Sequence, residues 1–336
     1  MDHSPAGDAF PTSQNIMDLA MGFQKSRVLL SAFELGIFSC LGEESYTSAE
    51  VAADLDTDAR ATDRLMNALC ALGLLTKHDG RFANTQGAAR FLVQEKPEYM
   101  GNLMHSVNLW DTWSTLTDAV RHGSSVIKKD VSEREESWLD AFIAAMHWRA
   151  MKSAPQLVAM LDLNGVRRVL DVGGGSGAYA MAFARAQRDI EAVVFDLPKV
   201  VPLTRMYIER EGMADRIHTV EGNYKTDMLG SGFDLIFLSA IVHSNSFAEN
   251  RALLQKCAAA LRPRGQVVVV DFVMDEDRIT PPFGTFFSLN MLVGTEAGDT
   301  YTEPEIRSWL QDAGLSAIAR KDTPFGPSML MGRARG

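Results

Sequence analysis

Short apolar runs alternate with helical stretches through the second half of the chain. The apolar runs have strand length and are rich in Val, Ile, Leu and Phe, which is typical of buried strands. Strands are predicted at Arg168–Val172, Glu191–Phe195, Ile217–Val220, Asp234–Leu238 and Gln266–Asp271, with a terminal hairpin from Ser316–Asp322 and Ser328–Arg333. Helices are predicted at Gly177–Gln187, Val200–Glu211, Phe247–Leu261 and Glu303–Ala313. This alternation predicts an α/β domain with a doubly wound sheet.

The first half follows a different pattern. Apolar residues recur at helical spacing between Gln14 and Leu41, and Gly36 is a predicted helix stop. Thr47 and Glu50 form a capping signal for the next helix, and Asp79-Gly80 is the centre of a hairpin signal. The elements are predicted at 14–41, 47–55, 61–72 and 74–83. Three helices and a hairpin predict a mostly helical, winged-helix domain.

A winged helix raises the possibility of DNA binding. The predicted recognition helix offers Arg60 and Arg64, but Asp56, Asp58 and Asp63 lie beside them. The formal net charge of the chain is −10, which disfavours a general attraction to nucleic acid or to an anionic membrane surface. A DNA-binding ligand sensor is therefore kept only as an alternative.

The length of the chain suits two domains joined by a helical connector. The predicted boundaries are 1–100 for the winged-helix domain, 101–163 for the connector and 164–336 for the α/β domain. Within the connector, Trp110 and Trp113 have the spacing of one helix face, and Phe142 and Met146 lie on the following helix. The charged stretch Lys128–Ser137 is predicted to be a loop and the start of that helix.

The candidate chemistry begins after the first strand of the α/β domain. Val169-Leu170-Asp171-Val172 runs into Gly173-Gly174-Gly175-Ser176-Gly177 and then into a helix. Strand, glycine turn and helix open a nucleotide-binding unit, because glycines let the backbone approach a ligand and the helix start offers free N–H groups. Asp171 precedes the turn, where it can accept from a cationic or hydroxyl group of the ligand. Asp196 ends the next strand, about 20 residues past the glycines, where a carboxylate meets ribose hydroxyls.

The glycine spacing alone does not identify the nucleotide. Gly173, Gly175 and Ala178 also fit the G/A variant of the dinucleotide fingerprint. A nicotinamide dehydrogenase therefore stays open as an alternative, although no separate proton-relay site is found for it.

A family resemblance narrows this choice. The segments Leu170-Asp171-Val172-Gly173-Gly174-Gly175-Ser176-Gly177 and Phe195-Asp196-Leu197-Pro198 resemble those of the S-adenosylmethionine-dependent small-molecule O-methyltransferases. The nearest group contains the plant caffeic-acid-type, hydroxyindole and bacterial polyketide enzymes. The resemblance extends over nearly the whole chain. It implies a mostly parallel, Rossmann-like seven-stranded sheet with its last strand antiparallel, and an N-terminal winged-helix domain in which Gln14–Leu41 packs against the partner of a homodimer.

The resemblance also implies a cofactor site for S-adenosylmethionine. Asp171, Gly173, Gly174 and Gly175 would approach its methionine part, and Asp196 with Leu197 would hold the ribose. Asn223 and Tyr224 stand where the family has a Gly-Asp-aromatic motif beside the adenine, with Asn in place of Asp. Ser239 stands where the family often has Lys. The connector helices would line the acceptor pocket, with Trp110, Trp113, Phe142 and Met146 as candidates. The apolar, aromatic segment 281–291 is predicted to be another wall of that pocket, with Phe286, Asn290 and Met291 as candidates. Ordinary packing between domains is the alternative for both segments.

His243 is the predicted catalytic residue. In the resembled family a histidine shortly after the fourth strand acts as general base on a phenol or similar hydroxyl, and an imidazole titrates near neutrality. The family motif is often His-Asp-Trp, whereas this chain has His243-Ser244-Asn245. Thr300 replaces a second acidic residue that would help to orient the histidine. Asp299 and Glu296 are the candidates to take over that role.

The remaining composition is that of an ordinary globular protein. No apolar stretch approaches the ~20 residues that span a bilayer, and the N-terminal residues lack signal-peptide regions. Cys40, Cys70 and Cys257 are far apart, and no cluster of residues has metal-ligand spacing. A cytoplasmic protein without a metal, a membrane or a nucleic-acid partner is expected.

The predicted function is S-adenosylmethionine-dependent O-methylation of a small, aromatic secondary metabolite. The missing orienting carboxylate keeps an alternative open, in which the same cofactor assists decarboxylation, hydroxylation or cyclisation. Methyl transfer to N, C or S is open as well. The sequence does not identify the acceptor.

Overall fold

The computed structural model describes residues 11–127 and 135–336. The chain forms two compact units, divided between Val107 and Asn108. Residues 1–10, on which the signal-peptide expectation partly rests, and most of the predicted charged loop Lys128–Ser137 lie outside the described residues. Among the described residues, no helix is both long enough and apolar enough to cross a bilayer.

The first unit begins with capped helices and a three-stranded antiparallel sheet. Thr47 and Glu50 form a capping box at one helix start, and the Asp58 side chain accepts from the Ala61 N–H at the next. Asp79 and Gly80 have φ of 49° and 76°, as a two-residue hairpin turn requires. The elements are α1 (Ser13–Glu34), α2 (Ile37–Leu41), β1 (Tyr46–Thr47), α3 (Ser48–Asp54), α4 (Ala59–Ala71), β2 (Leu75–His78), β3 (Arg81–Asn84) and α5 (Gln86–Phe91), with strand order β1-β3-β2. The winged-helix prediction is confirmed.

Three helices precede the large sheet. They are α6 (Leu103–Ser114), α7 (Leu116–His122) and α8 (Glu136–Ala159). Trp110 and Trp113 lie on α6, and Phe142 and Met146 lie on α8, as the helical spacing predicted.

The second unit is built on a seven-stranded sheet of order β11-β12-β8-β7-β4-β5-β6. Strand β12 runs antiparallel to β8 and β11, and the other pairings are parallel, as the resemblance implied. The strands are β4 (Arg168–Val172), β5 (Glu191–Asp196), β6 (Ile217–Glu221), β7 (Phe233–Ser239), β8 (Leu261–Asp271), β11 (Ser316–Asp322) and β12 (Ser328–Arg333). The helices are α9 (Ala178–Ala186), α10 (Val201–Arg210), α11 (Phe247–Ala260), α12 (Pro282–Gly294) and α13 (Glu303–Asp312).

A short parallel pair was not predicted from the sequence. Strands β9 (Val273–Met274) and β10 (Tyr301–Thr302) pair in register, with Tyr301 opposite Val273. The pairing anchors the segment before α13 next to the end of β8.

The core lies on both faces of the sheet. Successive residues of a strand point to opposite faces, so Leu235 and Phe237 pack in one apolar cluster while Ile236 and Leu238 pack in the other. Helices α8 and α9 contribute to the first cluster, and α11 and α13 contribute to the second. With both faces covered, the ligand-accessible part of the sheet is the edge at which the parallel strands end.

Candidate active site

The glycine turn joins β4 to α9 and leaves no room for side chains. Gly173 has a φ of 64°, which L side chains rarely adopt, and a Cβ there would lie 2.3 Å from the Cδ1 atom of Ile241. A Cβ on Gly174 would lie 2.7 Å from Asp171 Oδ2 and 2.9 Å from Val194 Cγ1. Both positions therefore require glycine, and the partly exposed backbone of residues 173–175 is called the cradle.

Asp196 is fixed against this turn from the end of β5. Its Oδ2 accepts from the Gly175 N–H at 2.8 Å, and its Oδ1 accepts from the Leu197 N–H at 2.7 Å. Burial raises the pKa of the Asp196 carboxyl to about 6, and the two backbone hydrogen bonds oppose that rise. The arrangement holds the carboxylate rigidly where β4 and β5 end.

Asp171 is a buried carboxyl with an oxygen that is not satisfied. Its side chain is 1% exposed, and Oδ2 has no hydrogen-bond partner among the described residues. Burial raises the pKa to about 7, the Ala180 backbone lowers it, and the nearby Asp196 raises it further. An unpaired buried oxygen beside Gly174 fits a ligand that brings a cationic or hydroxyl group to the turn.

This pKa shift predicts a pH-dependent stability. Because the folded pKa of about 7 lies above the ordinary value of 3.8, the folded state holds this proton more tightly than the unfolded state does. The contribution to stability is present below about pH 4 and is lost as the pH rises through 7, by about 4 kcal/mol at most. Asp171→Asn should therefore flatten the fall in Tm of the cofactor-free protein between pH 5 and 7, leaving the smaller fall from Asp196.

Thermal unfolding of the wild type and of Asp171→Asn across that pH range checks this prediction. Asp215→Asn, at an exposed position, is the matched control and should follow the wild type. Parallel curves for wild type and Asp171→Asn would contradict the assignment of the titration to Asp171.

The predicted adenine side is formed by the segment after β6. Asn223 closes its own turn, because its Oδ1 accepts from the Lys225 N–H at 2.9 Å while its N–H donates to Asp227 at 2.8 Å. The Tyr224 ring lies near the glycine turn, since a Cβ on Gly173 would be 3.9 Å from its Cε1. Ser239 ends β7 opposite Val270, and two strands, β4 and β5, lie between β7 and the strand β6 that precedes Tyr224.

His243 lies in a 3₁₀ turn, Val242–Ser244, just after β7. Its buried ring directs Nδ1 at the Asp271 carboxylate, 2.8 Å from Oδ1 and 3.0 Å from Oδ2. The carboxylate also accepts from the backbone N–H groups of Phe272, at 2.8 Å, and of His243 itself, at 3.3 Å. An ionised carboxylate can only accept hydrogen bonds, so Nδ1 carries the proton. In the neutral ring Nε2 then keeps a free lone pair.

The orienting carboxylate is thus Asp271, which the sequence reasoning missed. Asp299 donates its backbone N–H to the His243 carbonyl at 3.0 Å, but its carboxylate faces Arg278 and the Thr300 N–H. For Glu296, no hydrogen bond to His243 is found within the described part of the chain. Asp271 ends the predicted strand Gln266–Asp271, and His243 follows the predicted strand before it, Asp234–Leu238. This adjacency of the two strands was the signal that could have identified Asp271.

Several predicted acceptor-pocket residues come together around α12. Trp113 Nε1 donates to Asn290 Oδ1 at 2.9 Å, and Met291 is buried one position further along. Phe286 is 66% exposed, whereas its neighbour Phe287 packs edge-on against the His243 ring at 4.8 Å. Phe287 is therefore the aromatic residue beside the histidine.

The Phe287 ring belongs to an aromatic cluster. It lies 5.0 Å from the Phe272 ring and 5.9 Å from the Phe283 ring, between centroids. Elsewhere, Phe142 stacks on Trp138. Both rings pack, together with Leu197, against a small apolar cluster of Leu139, Ile143 and Val200. Met146 and Trp110 are half-buried.

His147 contacts the glycine turn directly. Its Nδ1 lies 2.9 Å from Ser176 Oγ, and its ring stacks on Tyr207 at 4.1 Å. Burial lowers the pKa of the imidazole, and Arg210 lowers it further, against an opposing effect of Glu211. A mostly neutral His147 thus connects α8 to the turn. Among the residues that the structure describes, no group of three or more potential ligands could hold a metal ion.

Taken by itself, this geometry is that of an α/β domain with a glycine turn and two carboxyl groups where its parallel strands end, the place at which such folds bind nucleotides. Comparison with known proteins identifies the family. The O-methyltransferase domain family matches residues 113–316, and the O-methyltransferase dimerisation domain matches residues 17–94. The chain therefore belongs to the O-methyltransferase family, and S-adenosylmethionine is its cofactor.

Individual relatives agree with this assignment. The chain is 35% identical over 311 residues to a 3-hydroxy-5-methyl-1-naphthoate 3-O-methyltransferase from Streptomyces sahachiroi, covering 90% of this chain and 89% of that one. The solved structure of PigF with S-adenosylhomocysteine is similar, with a TM-score of 0.88 and 27% identity, covering 96% of this chain and 99% of PigF. Human N-acetylserotonin methyltransferase in complex with S-adenosylmethionine gives a TM-score of 0.83 at 26% identity, covering 98% and 100%. The predicted family, fold class and cofactor are confirmed.

Proposed function

We propose that this enzyme methylates a hydroxyl group on a small aromatic secondary metabolite and that His243 is the general base. The observation that carries the proposal is the buried His243–Asp271 pair beside the Phe287 ring. A histidine whose Nδ1 proton is held by a carboxylate presents Nε2 as a base, and Phe287 supplies an aromatic surface next to it.

The cofactor supplies an electrophilic methyl group on a sulfonium. The residues of the chain then have three tasks. The backbone of Gly173, Gly174 and Gly175, with Asp171, would lie along the methionine part, Asp196 and Leu197 would hold the ribose, and Asn223, Tyr224 and Ser239 would border the rest of the cofactor. His243 Nε2 would accept the proton of the acceptor hydroxyl, which makes the oxygen a better nucleophile. Asp271 would stabilise the resulting imidazolium.

An aromatic acceptor is supported by the side chains around α12 and α8. Phe287 contacts the proposed base, and Trp113 is fixed to Asn290 by a hydrogen bond. Two similar relatives are named for substrates of this kind, a hydroxynaphthoate and a tetracenomycin polyketide. We extend this class to the present chain, with Trp110, Trp113, Phe142, Met146, Phe286, Asn290 and Met291 as candidate acceptor contacts.

Transfer of labelled methyl groups tests the function. The protein would be incubated with methyl-labelled S-adenosylmethionine and a panel of phenols, naphthols and hydroxylated polyketides, and labelled products would be separated and their methylation site determined. O-methylated products are expected. Products methylated on C, N or S, or an acceptor that loses carboxylate without gaining label, would contradict the proposal.

The alternative of chemistry without methyl transfer rested on a histidine that lacked its carboxylate. Asp271 supplies that carboxylate in the structure. A histidine–carboxylate pair is suited to deprotonating a hydroxyl, and decarboxylation does not require one. The geometry therefore favours O-methylation.

We also propose that α1 forms the interface of a homodimer. The first half of α1 carries apolar side chains that no other described residue of the first unit covers. Leu19 is 80% exposed, and Phe23 is 54% exposed. The dimerisation domain begins within this helix, at residue 17. A second copy of the chain is the occupant that a dimerisation domain implies, because it would bury both faces at once.

Leu19→Glu combined with Phe23→Glu should therefore produce a monomer. Burial of each large apolar side chain contributes about 1.5–3 kcal/mol, so the double substitution should weaken dimerisation by at least about 100-fold. Sedimentation analysis over a concentration series measures this. Met228→Glu, at a 71% exposed position of the second unit, is the control that should remain dimeric. A wild-type protein that sediments as a monomer at micromolar concentration would contradict the interface.

A further inference from the structure

The turn that carries His243 is tied to Tyr224 by a chain of side-chain amides. Tyr224 Oη donates to Asn245 Oδ1 at 3.1 Å, and Asn245 Nδ2 donates to Asn250 Oδ1 at 3.1 Å. Asn250 Nδ2 then donates to the Val242 carbonyl at 2.8 Å. Asn245 and Asn250 are both completely buried, at 0% exposure, so these bonds have no competition from water.

The direction of this chain is fixed by chemistry. The Val242 carbonyl can only accept, so Asn250 must turn its NH₂ group towards it and its oxygen towards Asn245. Asn245 must in turn present its NH₂ group to Asn250, which leaves Asn245 Oδ1 facing Tyr224. That oxygen needs a donor, and the Tyr224 hydroxyl is the donor. A phenylalanine at position 224 would leave a buried acceptor unpaired.

The same turn is held from two more sides. The Tyr301 hydroxyl donates to the Asn245 carbonyl, and the Asp299 N–H donates to the His243 carbonyl. Tyr301 belongs to β10, which pairs with β9 just beyond Asp271. The position of His243 relative to Asp271 is therefore set by the turn as a unit, and Asn245 is its best-connected side chain.

The other end of the chain of amides lies at the cofactor cradle. A Cβ on Gly173 would lie closest to the Ile241 side chain and next to the Tyr224 ring. Ile241 immediately precedes the His243 turn. Tyr224 thus borders the cradle with its ring and also donates, from its hydroxyl, the hydrogen bond to the Asn245 side chain of the turn. The often-found His-Asp-Trp motif has a tryptophan in place of Asn245, and an indole cannot accept this bond.

We propose that Asn245 is a positioning residue which couples the cofactor cradle, through the Tyr224 hydroxyl, to the orientation of His243. This inference rests on the proposed role of His243 as base. Loss of the coupling should allow the His243 ring to leave its alignment with Asp271 and the acceptor. Misplacement of a catalytic group by about 1 Å can reduce a rate about 100-fold, so a loss of about 10- to 100-fold in kcat is expected.

Tyr224→Phe is the decisive variant, because it removes one oxygen atom and keeps the ring that borders the cradle. It would be assayed with a phenol from the panel and with a nitro-substituted analogue that is already ionised at the assay pH. A base is needed only for the first acceptor. The expected result is a loss of about 10- to 100-fold in kcat on the un-ionised phenol and less than about 3-fold on the ionised one. Asn245→Ala should give the same pattern, and Tyr224→Phe should add little in the Asn245→Ala background.

Two readouts do not depend on turnover. The ¹⁵N chemical shifts of the His243 imidazole report its tautomer, and in cofactor-free Tyr224→Phe they should change from the Nδ1–H form to a mixture. Calorimetric titration with S-adenosylhomocysteine should show a Kd within about 3-fold of wild type. Tyr179→Phe is the matched control: its hydroxyl lies 3.4 Å from Ser153 Oγ and its ring packs against Phe237 in the core, so it should behave as wild type in every assay.

The outcomes separate this inference from the proposed function. If His243→Ala loses activity equally on both acceptors, His243 is not the base and the proposed function fails. If His243→Ala discriminates between the acceptors but Tyr224→Phe and Asn245→Ala do not, the coupling is overturned. A Tyr224→Phe variant with unchanged imidazole shifts would overturn it as well.

Discussion

Replacing His243 by alanine lowers kcat on an un-ionised phenol by about 10²- to 10⁴-fold, the usual contribution of a general base. Nδ1 of the buried imidazole faces the Asp271 carboxylate, which leaves Nε2 as the base, and the Phe287 ring lies 4.8 Å away in a T-shaped arrangement. With an acceptor that is already ionised, the loss shrinks, because no proton has to be removed. Initial rates at saturating cofactor for both acceptors measure the difference.

Asp271→Asn tests the same pair from its other side. The Asp271 carboxylate accepts from the backbone N–H groups of Phe272 and His243. The two N–H groups bond different oxygens, so an asparagine would keep its oxygen on the closer Phe272 N–H and place its NH₂ group at the Oδ2 position, beside Nδ1. An NH₂ group cannot accept the Nδ1 proton, which would shift that proton onto Nε2. The base is then blocked, and a loss of about 100-fold on the un-ionised phenol is expected.

Asp299→Asn is the matched control for this substitution. Its carboxylate faces Arg278 and the Thr300 N–H, so its kcat should remain within about 3-fold of wild type. A large loss in Asp299→Asn together with an unaffected Asp271→Asn would show that the orienting carboxylate had been assigned to the wrong residue.

Gly298→Ala should also reduce turnover by about 100-fold, although Gly298 bears no functional group. A Cβ at this position would lie 2.4 Å from the His243 carbonyl oxygen and 2.6 Å from Thr295 Oγ1. The first contact is with backbone, which cannot rotate away as a flexible side chain can. The turn must shift by several tenths of an ångström, and the His243–Asp271 alignment shifts with it.

Gly294→Ala is the control for Gly298→Ala. Gly294 is the last residue of α12, and a Cβ there would have nothing within 4 Å, so normal kcat and equal or slightly higher Tm are expected. Titration with S-adenosylhomocysteine would show whether Gly298→Ala keeps its cofactor affinity, as expected. Full activity in Gly298→Ala would mean that the loop at residues 297–299 does not constrain the base.

Part of the structure of this protein can be predicted from local sequence patterns, because each pattern has a direct physical cause. The strands Arg168–Val172 and Ser328–Arg333 were predicted with the bounds that the structure shows, because a buried strand needs a short apolar run between turn residues. The glycine turn, the winged helix and the cap at Thr47 were equally predictable. Each depends on residues that are near neighbours in the sequence.

Some of the proposed site residues could likewise be placed from the sequence, and others could not. Asp171 and Asp196 could be placed at the turn because each lies within one residue of the end of a predicted strand, and the resemblance to a family pointed to His243. The roles of these residues stay predictions, to be decided by the experiments above. Phe286 illustrates the limit of a pattern, because an apolar helical run does not say which of two adjacent phenylalanines faces the histidine. The structure turns Phe287 to His243 and leaves Phe286 exposed.

What only the tertiary structure decided is the set of partners that lie far apart in the chain. Asp271 meets His243 from 28 residues away, because β8 lies beside β7 in the sheet and both end at the same edge. Tyr224 reaches Asn245 across 21 residues, and β10 pairs with the distant β9. Periodicity gives the face on which a side chain lies, whereas the neighbour that it finds there depends on strand order, register and loop path. Those are set by the packing of the whole domain.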